Sequence, residues 1–201
     1  MTDITPIKEV LSDVRPTLFE SFEQTKLTKE KLSELDSPIT ERVNVRETLE
    51  PLSNESKEVL SEQGYSDGVI EAIGSEEEAK IYADAELACT KVNDKDALVR
   101  TDIDLDAKDD FGRTNLERME NGRAPLDKNG KPIELHHIGQ TSDAPLAELT
   151  KEEHMCNGND SVLHDKSKES EIDRTSFQKE RAEHWKGRAE DIKQNLGINN
   201  E

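Results

Sequence analysis

The chain's 201 residues are enough for one generous domain, or for one ordinary domain with an appended segment. Only 31% of residues are hydrophobic and 3% aromatic while 36% are charged, which excludes a single large tight core along the whole length and places a compact core in part of it. The net charge of −19 argues against a chain that binds phosphate backbones with its whole surface, but residues 1–110 carry 13 basic and 28 acidic side chains against 14 and 18 in residues 111–201, so the second half is nearly neutral.

Met1-Thr2-Asp3-Ile4-Thr5-Pro6 has neither a basic n-region nor an apolar h-region, and no stretch approaches 18 apolar residues, so neither a Sec-type signal nor a membrane span is expected and the chain reads as soluble. Residues 1–63 read as an acidic helical N-terminal segment or linker. Leu27, Leu32, Leu35, Leu49 and Leu52 fall at loosely helical spacing there, interrupted by Pro16, Pro38 and Pro51. That stripe fits a small helical arm or a partner-binding module. Ser53-Asn54-Glu55-Ser56 reads as linker, and beyond Gly64 the punctuation becomes dense, so a globular domain is placed at 64–196.

Within that domain Ser66 is positioned to cap a short helix through about Ile73. Ser75-Glu76-Glu77-Glu78 has capping-box spacing ahead of a helix through Leu87. Cys89 to Val92 and Ala97 to Arg100, flanking Asn93-Asp94-Lys95-Asp96, form an expected hairpin. The acidic run from Asp102 is not an EF-hand, because that loop needs glycine at its sixth position and glutamate at its twelfth, where this chain has Ala107 and Arg113. A second capping box, Thr114-Asn115-Leu116-Glu117, opens a short helix that Gly122 ends.

Lys128-Asn129-Gly130 then separates residues 124–127 from 131–136, and Asn-Gly between extended segments predicts a β-hairpin. Its end carries Glu134-Leu135-His136-His137-Ile138-Gly139-Gln140. Neutral imidazole is both a common metal ligand and the side chain whose ordinary pKa lies nearest working pH. One histidine of such a pair can hold a cation while its neighbour activates water. Neighbouring strand residues face opposite ways, so both serve one site only where the strand ends or bends, and Gly139 stands just beyond. Two solvent-exposed histidines are the plain alternative.

Leu146-Ala147-Glu148-Leu149 reads as a further short strand, and Thr150-Lys151-Glu152-Glu153 as a third capping box starting a helix with His154. His154 and His164 would lie about 15 Å apart on one unbroken helix, but the break at Cys156-Asn157-Gly158-Asn159-Asp160 lets the chain fold back. Cys156 lies two positions after His154, off its helical face, and reads as an inert thiol; with Cys89 it makes no disulfide framework. Residues Ile172 to Leu196 read as one long helix with Phe177, Trp185, Ala189 and Ile192 on one broad face, covering the hairpin domain and burying Trp185 and Phe177. His184 beside Trp185 is assigned a surface or packing role.

Gly112-Arg113-Thr114-Asn115-Leu116-Glu117-Arg118-Met119, Leu135-His136-His137-Ile138-Gly139-Gln140, Pro145-Leu146-Ala147-Glu148-Leu149-Thr150, Glu153-His154 and Leu163-His164 together resemble the LHH nucleases of the HNH/endonuclease VII superfamily, which are toxin modules of bacterial polymorphic toxin systems. The resemblance covers about residues 65–192. It implies an α+β fold, mainly helical, with a small ββα-metal core and a long C-terminal helix. It implies one divalent metal ion (Mg²⁺, Mn²⁺, Zn²⁺ or Ni²⁺) held by His136 with His154 and His164, and His137 as general base. The family has also been read with one histidine as ligand and the others aiding water activation.

Arg113 and Arg118 are expected either to clamp phosphates or to pair with nearby acids, and Gln140 and Glu148 to orient site histidines. The implied activity is DNA endonuclease action with little sequence specificity, neutralised by a cognate immunity protein. Delivery would be by a non-Sec bacterial route or as part of a larger toxin, with action in the target-cell cytoplasm. An RNase or structure-selective nuclease is the nearest alternative, and a non-catalytic zinc-binding interaction protein the next; structural zinc sites commonly use cysteines, which this chain lacks in pairs.

Overall fold

The computed structural model describes residues 45–168 and 171–197. The expected leucine stripe at Leu27, Leu32 and Leu35, with Pro16 and Pro38, lies outside the described residues. A 3₁₀ turn at Val45–Thr48 precedes α1 (Asn54–Glu62), α2 (Asp67–Ala72) and α3 (Glu76–Asp84). The hairpin β1 (Ala88–Val92) and β2 (Lys95–Val99) follows, then α4 (Asn115–Glu120), β3 (Glu134–His137), a 3₁₀ turn, β4 (Leu146–Leu149), α5 (Lys151–Met155), α6 (Asn159–Leu163) and the long α7 (Arg174–Leu196). The architecture is α+β.

Serine and threonine open most of the helices. Ser53, Ser66, Ser75, Thr114 and Thr150 each accept a hydrogen bond from the backbone N–H three residues on, satisfying one of the donors a helix start leaves free. Thr114 and Thr150 head complete capping boxes. At Ser75 the box is half made, because the Glu78 carboxylate turns away to Gly74 N, Tyr82 Oη and Arg46. The Ser53 cluster, expected to be linker, is instead the start of α1, since the residues that favour loops are also the best N-caps.

Leu52 and Leu60 are buried in the main core with Val69, Tyr82, Leu98 and Leu149.

The sheet has the order β1-β2-β4-β3, with β2 and β4 parallel and the other pairs antiparallel. β1 and β2 form the expected hairpin with a tighter turn, Asn93-Asp94, both residues at positive φ as a type I′ turn requires. The second expected hairpin is corrected. Residues 124–127 make only an isolated bridge, Leu126 to Pro132, and β3 pairs with β4 in the register His136 to Ala147 and His137 to Leu146. Pro125, opposite Ile133, lacks the N–H that would return the Ile133-to-Pro125 hydrogen bond and extend the ladder.

Alternation sorts the two faces of the sheet. Leu135 and Leu146 face α7 and α4, in a cluster with Met119, Ile133, Trp185 and Ala189, against which Phe177 and Ile192 pack. Ala147 and Leu149 face the N-terminal helices. Trp185 is 2% exposed, as the apolar face of α7 predicted. At Gly122, φ is +69° and a Cβ would stand 3.1 Å from the Ala182 carbonyl oxygen, so glycine both ends the α4 turn and lets α7 approach.

Candidate active site

β3 presents its alternate residues to the two faces. Glu134 and His136 point one way, towards α5 and α6, and His137 points the other, towards α7. The chain reverses between α5 and α6 through Asn157 and Gly158, at φ +56° and +87°, and the Asn159 amide donates to Glu153 O at 2.7 Å. That reversal brings His164 to His154, with ring centroids 4.9 Å apart, and His136 lies 5.1 Å from each. One ligand nitrogen from each of the three lies within 4.8 Å of the others. The structure therefore brings together His136, His154 and His164.

Each outer histidine has its tautomer fixed by an oxygen. His154 Nδ1 donates to Glu134 Oε2 at 2.7 Å, which leaves Nε2 with a lone pair 3.3 Å from His136 Nδ1. His164 Nδ1 donates to the backbone oxygen and carboxylate of Asp160, at 3.1 and 3.0 Å, which leaves its Nε2 free. The other nitrogen of His136, Nε2, is buried without a hydrogen-bond partner. Burial first, then the neighbouring His154 and His164, and more weakly His137 and Arg46, hold His136 well below the ordinary histidine value. His164 is lowered too, by burial and then by His154, against the pull of Asp160.

Three neutral imidazoles with converging lone pairs fit a divalent transition ion. Two ligands of a tetrahedral zinc stand about 3.3 Å apart, the separation seen between His154 and His136. An all-nitrogen set suits Zn²⁺ or Ni²⁺ better than Mg²⁺.

His137 is absent from this trio. Its Nε2 donates to Glu180 Oε2 of α7 at 2.9 Å, its ring lies 4.6 Å from Phe177, and its Nδ1 is buried with no partner. Lys95 holds the second Glu180 oxygen at 2.5 Å. Burial lowers the His137 pKa, with Glu180 opposing and Lys95 assisting. β3 ends at His137, where the 3₁₀ turn Ile138–Gln140 begins with Gly139 at φ +79°, so the expected strand end is present.

The remaining expected residues take other partners. Arg113 and Arg118 both converge on the Asp109 carboxylate, at 2.8 and 2.7 Å, and hold it well below its usual range. Arg118 also donates to Ala124 O. These bonds brace the loop before α4, which is the ion-pairing alternative.

Gln140 accepts from the Asp165 backbone N at 2.9 Å, bracing the residue after His164 rather than a ring. Glu148 is fully buried and orients His184, not a residue of the trio: it accepts from His184 Nε2 and Arg188 Nε, each at 2.8 Å, and from Arg100 N. His184 is thus a buried strut between α7 and β4. Cys156 is exposed at the end of α5.

Sequence reasoning missed Glu134, Asp160 and Glu180. Glu134 was within reach, standing two residues before His136 on the same strand face, and Asp160 stands four residues before His164. Glu180 had no local signal.

Residues 114–191 match the family model described as LHH, a nuclease of the HNH/ENDO VII superfamily with conserved LHH. The Leu135-His136-His137 tripeptide lies inside that match. No solved structure matches the chain.

Proposed function

We propose that this chain is a metal-dependent endonuclease that hydrolyses DNA phosphodiester bonds with little sequence specificity, a reading supported by the match of residues 114–191 to the LHH model of HNH/ENDO VII nucleases. The observation that carries the reading is the convergence of His136, His154 and His164, with Glu134 and Asp160 fixing the outer tautomers so that a lone pair on each outer ring is left for an ion. His136, His154 and His164 would hold the ion. When bound, a divalent ion supplies charge neutralisation at a phosphate oxygen and at the leaving 3′-oxygen.

The protein's own part is proton transfer. The Glu180 carboxylate only accepts, so it keeps the His137 proton on Nε2 and leaves Nδ1 as the basic atom. As general base, His137 Nδ1 would take the proton of the water that attacks phosphorus, a contribution of about 10²–10⁴-fold; that atom is buried on the face of β3 opposite the trio, so the role requires it to become exposed to the attacking water. A lowered pKa keeps this imidazole neutral and ready at neutral pH. Arg113 and Arg118 are assigned to the loop before α4 rather than to phosphate.

We extend the reading to a bacterial toxin effector neutralised by a cognate immunity protein, as the sequence resemblance implies. The acidic surplus of residues 1–110 supports a role for charge in choosing that partner. Among the described residues no helix is long and apolar enough to cross a membrane.

Plasmid nicking and RNA cleavage across Mg²⁺, Mn²⁺, Zn²⁺ and Ni²⁺, beside calorimetric metal titration, test the assignment. His137→Ala is expected to lose cleavage and keep metal binding, and His136→Ala to lose both. Equal loss of metal in the two variants would sink the division of roles, and faster turnover of RNA than of DNA would replace the substrate.

A further inference from the structure

We infer that Arg46, far outside the nuclease motif, is a positioning residue that sets the metal affinity of the histidine trio by holding His164 in place. The inference rests on the reading of His136, His154 and His164 as metal ligands.

Of the three histidines, His164 stands on the least regular backbone. It follows α6, a five-residue helix whose last carbonyls have no intrahelical donor. Arg46 supplies those donors. Its Nη1 donates to Val162 O at 3.0 Å and to Leu163 O at 2.9 Å, the two residues directly before His164. A guanidinium suits this place because its planar fork reaches two carbonyls and its charge complements the negative end of a helix.

Arg46 is itself aimed. Its Nη2 donates to Glu78 Oε2 at 3.2 Å, and Glu78 is fully buried, tied to Tyr82 Oη at 2.9 Å and to Gly74 N at 2.9 Å. Gly74 leaves the room: a Cβ there would stand 3.0 Å from Arg46 Nη2. On the other side of His164, Gln140 holds the Asp165 N–H. The ligand is therefore gripped before and after, and the grip before it comes from a segment that the family match does not include.

Full-length protein titrated calorimetrically with Zn²⁺ tests this. Outer groups that orient metal ligands typically carry about 10–100-fold in metal affinity. Arg46→Met is expected to weaken Zn²⁺ binding at least about tenfold on that scale, with Arg46→Lys intermediate. In a His164→Ala background the same Arg46→Met change should bring no further loss, because the positioning acts through His164 and the Arg46 charge felt by His136 opposes a cation.

An undiminished affinity in Arg46→Met, or an equal loss in the His164→Ala background, overturns the inference while leaving the metal reading standing. Absence of Zn²⁺ binding by the unmodified chain overturns both. Should Arg46→Met fail to fold by circular dichroism, Arg46→Lys carries the same double comparison.

Discussion

At the scale of single residues, the proposed function depends on which nitrogen of each ring keeps its proton. Glu134 and Glu180 do the same physical work on opposite faces of β3, one for His154 and one for His137, and their replacement should separate the two roles. Glu134→Gln is expected to weaken metal binding by about 10–100-fold, since the outer acceptor that raises ligand basicity loses its charge. Glu180→Gln should leave metal binding unchanged. Its amide can donate to His137 Nε2 and force the proton onto Nδ1, the wrong tautomer for a base, with a loss of cleavage on the order of 10²–10⁴-fold. Titration and nicking assays on both variants check this, and a Glu180→Gln enzyme with full activity would remove His137 from the chemistry.

The histidines themselves were legible in the sequence because the dipeptide and its distance to His154 and His164 are local facts. Glu180 was not, because a partner 43 residues away is selected by the packing of α7 and leaves no periodicity.

At the scale of elements, α7 is the part on which both sides of the protein depend. It buries Trp185 against Met119, Leu135 and Leu146, carries Glu180 to His137, and locks to β4 through His184, Arg188 and Glu148. Trp185→Ala is expected to destabilise the domain by about 3–5 kcal/mol, the usual cost for a large buried ring; chemical denaturation measures it, and a cost under 1 kcal/mol would contradict the packing described. The helix starts at Ser66, Ser75, Thr114 and Thr150 were readable, because a serine or threonine three residues before a backbone donor is written in one short window, whereas Ser53 was read as linker. The partner of β3 was not. The Asn129-Gly130 turn signal pointed to residues 124–127, but long-range pairing with β4 won, and Pro125 removed a donor from the nearer competitor.

At the scale of the whole molecule, three imidazoles held below their ordinary value, two buried and that of His164 half-buried, make stability depend on pH. His136, His137 and His164 are neutral in the folded chain, whereas in the unfolded chain each titrates near about 6.5. Below that pH the unfolded state binds more protons, so stability is present above about 6.5 and is lost progressively as pH falls. Scanning calorimetry with chelator present should show a falling Tm from pH 7.5 to pH 5, and a Tm that rises on acidification would refute the assignment. The carboxylates lowered by ion pairing, such as Asp102 and Asp160, act in the same direction but at lower pH. The α+β class followed from the family resemblance, with the expected hairpin and capped helices consistent with it. The parallel pairing of β2 with β4 was not, since Ala97 meets Leu146 across a long stretch of chain with no local mark.

That parallel pairing fixes what happens to the family-matched segment cut free of its neighbours. In the intact chain β4 is interior, flanked by β2 and β3, and its Leu146, Ala147 and Leu149 are buried. A fragment limited to residues 114–191 has no β2, so β4 becomes an edge strand with an open row of amides and carbonyls and apolar side chains on both faces. Such an edge is a template for intermolecular sheet growth. The fragment should self-associate in light scattering at concentrations where the full chain stays dispersed, even with all of its histidines in place.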